Sequence, residues 1–288
     1  MTTLARELYS VFKIRIGIAI ALAALAGMAV SPGPAPEPWQ IAVLGLSVLA
    51  SAASAGAFNQ LFEYRFDALM KRTSDRPFVT GRFRVGPVWY AGVILLLATA
   101  VGTAAYALNN MVAFYVFLGA FVYGVVYTVW LKRRSVWNIV IGGLSGSFAV
   151  LAGAASVGAD MSAPALLLAV VLFLWTPPHF WSLAAALRDD YAQAGIPMLP
   201  VVVGEKTAAR IILINTILLV SASMLPTAFG LGWFYWGGAA IGGSYFLYRS
   251  LKYSLDPSPA NAMKNFFASL VQLVLLIAGA LVGAFVGL

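Results

Sequence analysis

The sequence predicts an all-α integral membrane protein, a bundle of nine transmembrane helices with the N-terminus in the cytoplasm and the C-terminus outside. Three observations predict it. Hydrophobic residues make up 61% of the 288-residue chain and charged residues only 10%. The apolar residues are gathered into runs of about 20, long enough to cross a roughly 30 Å hydrocarbon core as helices, whereas the short alternating strands of a membrane barrel are missing from the sequence. The third observation is how the charges sort between loops.

The expected spans are 12–30, 40–62, 86–107, 111–131, 138–158, 163–183, 208–229, 233–251 and 265–287. The first follows basic residues, as a signal peptide would, but lacks a small-residue cleavage site and reads as a retained span. It ends at the Pro-rich stretch from Ser31 to Pro38, an outer turn. The seventh and eighth are parted only by the turn at Gly230, Leu231, Gly232 and Trp233. With nine spans and the N-terminus inside, all 18 Lys and Arg residues fall in inner segments, as the positive-inside rule requires. These are Arg6, Lys13 and Arg15; Arg65, Lys71, Arg72, Arg76, Arg82 and Arg84; Lys132, Arg133 and Arg134; Arg188, Lys206 and Arg210; and Arg249, Lys252 and Lys264. The outer loops keep only Glu37 and Asp160. The net charge of +8 thus reflects topology in a lipid bilayer and needs no nucleic-acid partner.

There is no cysteine, which excludes disulfides, thiolate metal sites and thiol catalysis. The short basic start leaves no room for an organelle transit peptide, so the expected location is a bacterial plasma membrane. No linker or low-complexity segment divides the chain, and residues 1–288 read as one membrane domain. The acid-bearing inner loops follow the second and sixth spans, so spans one to four and five to eight suggest a parallel repeat with the ninth appended. Such repeats commonly place a site between the halves. Gly142 and Gly146, and the series Gly279, Gly283 and Gly287, are small-residue patterns expected to let helices approach closely.

Against this apolar background the inner end of the second span is dense with charge. Asn59, Glu63 and Asp67 recur every fourth residue, a spacing that advances about 40° per step on a helix and puts all three on one face. Three oxygen donors with two negative charges suit a hard cation such as Mg²⁺, which takes one or two carboxylates, keeps waters and bridges to substrate phosphates. Lys71, Arg72, Arg76, Arg82 and Arg84 would then neutralise phosphate oxygens. The competing reading is a solvated helix end with Glu63 and Asp67 paired to Arg65 and Lys71. A second acidic group, Asp189 and Asp190 between Arg188 and Tyr191, lies just past the sixth span on the same membrane side. Two carboxylate clusters flanked by Arg and Lys could hold a diphosphate through metal ions across one cavity. Alternatively, Asp189 and Asp190 cap a short loop helix.

These residues carry a family resemblance. The stretch Asn59, Glu63, Asp67, Met70, Arg72, Thr73, Arg76 and Pro77 with Gly81 and Arg82, the groups Tyr127, Thr128, Leu131, Lys132 and Arg133 and Asn138 to Gly143, the run Trp175-Thr-Pro-Pro-His179-Phe-Trp181, and the segment from Arg188 to Pro200 occur in this order. The chain resembles the UbiA-type intramembrane prenyltransferases, and within them the branch that farnesylates protohaem. Each fragment alone is weak; together they span residues 59–200. The broad pattern of that superfamily is an Asn followed by two aspartates at four-residue steps, and here Glu63 takes the first of them. Its second motif has two aspartates four apart, whereas Asp189 and Asp190 are adjacent. Both departures resemble the haem branch, and they leave open which of the two binds metal.

The resemblance implies a UbiA-like helical bundle in which Mg²⁺ and farnesyl diphosphate are held by Asn59, Glu63 and Asp67 on one side and Asp189 and Asp190 on the other. Lys71, Arg72, Arg76, Arg82, Lys132, Arg133 and Arg188 would contact the diphosphate. Haem b would be the acceptor, its vinyl group attacking the allylic cation before water adds, and an apolar cavity would delay quenching. His179, the single histidine, would touch haem together with Trp175, Trp181 and Tyr127. A lone His is more often a packed residue, the tryptophans equally suit an interfacial belt, and Tyr127, Lys132 and Arg133 equally suit a positive-inside anchor. A downstream haem-modifying enzyme or terminal-oxidase assembly factor is the implied protein partner. Two other functions fit less well. A prenyltransferase for an aromatic quinone precursor is disfavoured by Glu63 and the Trp175–Trp181 run. A transporter of an anionic solute should carry ionisable residues further through its spans.

Overall fold

The computed structural model describes residues 3–286, and among them every regular element is helical. A short helix α1 (Thr3–Val11) breaks at Lys13 into α2 (Ile14–Ala29). Then come α3 (Pro38–Asp67), α4 (Pro87–Ala107) and α5 (Asn110–Phe121), which runs straight into a π-helix (Val122–Leu131). The short α6 (Asn138–Gly142) leads into α7 (Leu144–Ser156), followed by α8 (Ala163–Ala186). Two short loop helices, α9 (Arg188–Gln193) and α10 (Leu199–Val203), precede α11 (Glu205–Met224), whose end tightens to a 3₁₀ turn (Leu225–Phe229). Last come α12 (Trp233–Leu255) and α13 (Pro259–Val286).

Seven of these stretches are long and apolar enough to cross a membrane, and the bent pair formed by α1 and α2 makes an eighth if taken as one span. Helix α12, at 23 residues, is long enough, but Ser244, Ser250, Arg249 and Lys252 dilute its apolar run. The protein is therefore a multi-pass helical membrane protein with seven to eight spans assigned by length and composition. One expected continuous span is bent, the first, by 48°; the fifth passes from α6 to α7 at Gly143, which keeps right-handed helical angles.

The helices pack in chain order around a ring, α2 on α3, α3 on α4, α4 on α5, α5 on α7, α7 on α8, α8 on α11, α11 on α12 and α12 on α13. Helix α13 then returns to α8 and α2. The ninth expected helix is thus no appendage to a repeat; it closes the bundle. Across the ring, α2 packs on α7 with backbones nearly touching. A Cβ on Gly27 would run into the carbonyl of Val150, and one on Gly153 into the carbonyl of Ala24, so only glycine fits either place. Of the glycines expected at close crossings, Gly279 faces the backbone of Phe234 and Gly142 faces the ring of Tyr127, while Gly146 has open space beside it. Gly287 lies outside the described residues.

The prolines of α8 do not break it. Pro177 and Pro178 lie inside a continuous helix, each lacking the N–H that would bond the preceding turn. Nearby hydroxyls donate back along the helix, Thr176 Oγ1 to Leu172 O (3.0 Å) and Ser182 Oγ to Pro178 O (2.5 Å).

Candidate active site

Helix α3 delivers the centre of the site. It continues beyond the expected span to Asp67, so Asn59, Glu63 and Asp67 sit in its last turns and are only 2%, 1% and 3% exposed. A charged helix end solvated at the headgroups would show these carboxylates to water. Instead they are buried and met by cations from three other segments. Lys13 Nζ donates to Asn59 Oδ1 (2.6 Å). Lys132 Nζ pairs with Glu63 Oε2, and Arg76 Nη1 with Asp67 Oδ2. Asn59 Nδ2 donates to Glu63 Oε2 (2.7 Å) and to Thr128 Oγ1 (3.1 Å). The pairing of the acids with Arg65 and Lys71 does not occur: Arg65 Nε donates to the Tyr64 hydroxyl (2.9 Å) and Lys71 is exposed.

Each cation arrives by a local device. After Asp67 the chain turns through Met70 to Arg76 without leaving the site, because Thr73 Oγ1 donates to Asp67 O (2.7 Å). Lys132 is presented by the π-helix, whose wider winding carries Tyr123, Tyr127 and Thr128 to the same face. Its own N–H bonds Tyr127 O (2.8 Å), Tyr123 stacks on Tyr127 (centroids 5.5 Å apart), and Thr128 Oγ1 donates to Tyr123 O (2.8 Å). Sequence reasoning expected a plain α-helical span here and had no signal for the π winding. Lys13 and Tyr123 join the site without being expected in it, and Thr128, expected only as part of the family match, joins it too. The sequence presents Lys13 as a topology marker, although a lysine inside an apolar span is itself a signal.

The second acidic group lies on α9. Asp189 and Asp190 occupy the first turn of α9, where negative charge suits the helix dipole; Asp189 is exposed, Asp190 half-buried, and neither caps the helix. The two inner segments do meet. Arg72 Nη2 bonds the Tyr191 hydroxyl (3.4 Å), and Met70 is buried in one cluster with Trp181, Tyr191, Ile196 and Met198. Burial pushes the Tyr191 phenol up, while the Arg72 guanidinium pulls it back.

Other expected diphosphate contacts are distributed more widely. Arg82 pairs with Glu7 (3.2 Å) and Asp75 (3.2 Å) at the surface. Arg133 lies over the Phe66 ring, 3.9 Å from its centre. Arg188 bonds Pro200 O (3.3 Å) and lines a cavity of about 480 Å³ with Glu205 and Lys206. The expected haem contacts divide between two places. His179 is stacked between Trp175 (4.1 Å) and Phe266 (4.5 Å), with Nδ1 on Ser269 Oγ (2.7 Å). Trp181 and Tyr127 pack instead in the Met70 and Tyr191 cluster.

Among the described residues no three His, Cys, Asp or Glu side chains converge as a ready metal cage. The donors on α3 nevertheless fit a hard divalent ion. They are oxygen atoms on one face, and Glu63 Oε1 is buried without a hydrogen-bond partner. An orphaned buried carboxylate oxygen is costly unless something ligates it. Three cations, Lys13, Arg76 and Lys132, stand against two carboxylates, so the pocket is formally positive and has charge left for a polyanion.

Comparison with known proteins identifies the family and the fold. The sequence profile of the UbiA prenyltransferase family matches residues 20–287. The chain is 58% identical over 282 residues to a protein named protoheme IX farnesyltransferase 2 from Paramagnetospirillum magneticum, covering 98% of both chains. It is 47% identical over 237 residues to that organism's protoheme IX farnesyltransferase 1, covering 82% of this chain and 83% of the other. A protoheme IX farnesyltransferase from Alkalilimnicola ehrlichii is 40% identical over 247 residues, covering 85% and 81%. In fold, it superposes on a digeranylgeranylglyceryl phosphate synthase with a TM-score of 0.79 at 17% identity, covering 97% and 98% of the two chains. A UbiA homologue from Archaeoglobus fulgidus, solved with DMAPP and Mg²⁺, gives a TM-score of 0.70 at 17% identity over 95% and 99%.

Proposed function

The chain belongs to the UbiA prenyltransferase family, and on that premise we propose that it transfers the farnesyl group of farnesyl diphosphate to a vinyl group of haem b, with addition of water, giving haem O and diphosphate. The observation that carries this reading is the buried face of α3, where Asn59, Glu63 and Asp67 are met by Lys13, Lys132 and Arg76. The relatives sharing 40–58% of their residues with this chain bear the name of that reaction.

In this reading the whole chain is one membrane domain of nine crossing helices, with α12 as the eighth span and the basic segments and site on the cytoplasmic side of a bacterial plasma membrane. Asn59, Glu63 and Asp67 would hold Mg²⁺, with Asp189 or Asp190 on α9 as the further carboxylate. The ion, when bound, supplies charge that stabilises the departing diphosphate. Lys132 and Arg76 turn toward the phosphate oxygens, so that positive charge is fixed where negative charge develops. Arg72, tied to Tyr191, draws the two inner segments together over the substrate.

As the allylic C–O bond breaks, its electron pair leaves with the diphosphate. The vinyl π electrons of haem b then form the new C–C bond, water adds to the resulting cation, and one proton is released. The apolar bundle keeps water away until that bond has formed. His179 and Trp175 form one side of the haem pocket, Tyr127 and Trp181 the other.

The test is an acceptor assay on purified protein with haem b, farnesyl diphosphate and Mg²⁺, read by mass. A farnesylated, hydrated haem that disappears on chelation is the expected result. Prenylation of an aromatic carboxylate instead of haem, or undiminished product without divalent metal, would overturn the acceptor or the metal assignment respectively.

A further inference from the structure

Lys13 is the only non-glycine residue with a left-handed backbone among the described residues, at φ 47° and ψ 43°. Such a conformation disfavours side chains with a Cβ, and glycine would adopt it freely. A lysine held there signals that its side chain is needed where the bend points it. The bend itself is built. Helix α1 ends at Val11, which is fully buried, and Gln60 Nε2 donates to Ser10 O (2.8 Å), satisfying a carbonyl at that helix end. The Lys13 stem lies in a notch on α3 at Gly56, where an added Cβ would stand 3.2–3.3 Å from three stem carbons. From that notch Nζ reaches Asn59 Oδ1 (2.6 Å) and the Tyr123 hydroxyl (2.9 Å). Gly56, Asn59, Gln60 and Glu63 share one face of α3, so a single strip of helix receives the bend, the stem, the ammonium and the neighbouring carboxylate.

The atom that Lys13 holds is the one through which Asn59 would ligate a metal, since an amide binds a hard cation only through its oxygen. An ammonium and a divalent ion repel each other and cannot both sit against that oxygen at close range. We propose that Lys13 is a positioning residue that exchanges partners during substrate binding, releasing Asn59 Oδ1 to the metal and taking a diphosphate oxygen in return. Before the exchange, Lys13 orients the Asn59 amide so that Nδ2 faces Glu63 and Thr128; after it, the same charge lies against the leaving group. The inference rests on the proposed metal–diphosphate role of Asn59, and Lys13 precedes the segment that the family profile matches.

The exchange makes an uncommon pair of predictions for Lys13→Met in the full chain. Affinity for Mn²⁺ alone, used as a spin probe for the divalent site, should rise about tenfold, because a competing positive charge is gone. The KM for farnesyl diphosphate should rise about 10- to 100-fold, because a charged contact to phosphate is lost. A merely structural lysine would weaken both together. Lys13→Arg should recover most of the KM. Gly56→Ala, which favours the helix yet crowds the stem, should raise KM in a chain that folds at least as well, so the question stays answerable if Lys13→Met folds poorly. Mn²⁺ affinity that falls or stays constant in Lys13→Met, or a KM unchanged in both Lys13→Met and Gly56→Ala, overturns the exchange. Failure of the unaltered protein to bind Mn²⁺ or farnesyl diphosphate would instead overturn the underlying metal–diphosphate reading.

Discussion

Replacing Asp67 by asparagine keeps the shape of the side chain and removes one charge from the centre of the site. The carboxylate is 5% exposed and bonded to Arg76, itself 19% exposed. A unit charge about 4 Å from another is worth roughly 4 kcal/mol at an effective dielectric of about 20, and more against a divalent ion. Partial solvent access at Arg76 argues for discounting that figure by about half. The remaining ~2 kcal/mol corresponds to a Mg²⁺ requirement displaced roughly 30-fold upward. Folded stability should fall by less, about 1 kcal/mol, since Arg76 can turn to water and the amide oxygen still accepts a hydrogen bond. The formal charge of the pocket meanwhile rises from +1 to +2, counting Lys13, Arg76 and Lys132 against Glu63 and Asp67, so free diphosphate should inhibit at least as well as before. The assay is haem farnesylation titrated with Mg²⁺, alongside thermal unfolding of the same detergent-solubilised protein. An unchanged half-saturating Mg²⁺ concentration, with turnover falling only in step with folded yield, would refute the ligand role.

Other variants probe the remaining parts of the site and scaffold. Lys132→Met leaves Glu63 buried with only Asn59 as its partner, and should lower kcat by about 10²- to 10³-fold if its charge stabilises the leaving diphosphate; a change of less than threefold in single-turnover rates would place it outside the chemistry. Tyr191→Phe removes the Arg72 bridge between the inner segments and should raise KM for farnesyl diphosphate severalfold, by roughly 1 kcal/mol, without changing the haem spectrum. His179→Ala should weaken haem binding and alter its Soret band, whereas an unchanged spectrum and affinity would leave the imidazole a packing group between Trp175 and Phe266. Gly153→Ala should destabilise the bundle by about 1–3 kcal/mol through forced separation of α2 and α7, read as a lower midpoint of thermal unfolding.

Much of this arrangement is legible in the sequence because the bilayer enforces it. Asn59, Glu63 and Asp67 share a face through helical periodicity alone, and a carboxylate pair in so apolar a chain demands partners. Which partners is another matter. Arg65 and Lys71 are near in sequence, yet Glu63 is met by Lys132 from the π-helix and Asp67 by Arg76, because only the bundle decides which loops converge. The π winding that aims Tyr123, Tyr127 and Lys132 inward begins at Val122, between Gly119 and Gly124, but glycine is so common in membrane helices that the pair does not announce a change of winding. Lys13 shows the same limit from the other side. Its charge places it on the inner side of the membrane, but the reason it sits at a left-handed break lies on α3, at Gly56 and Gln60, more than forty residues away. A basic residue at the inner end of a span therefore has two explanations that composition cannot separate, topology and chemistry. The separation comes from burial: an ammonium that only marks topology gains by reaching water, and one that bends the backbone to reach a buried amide oxygen is held there by the site.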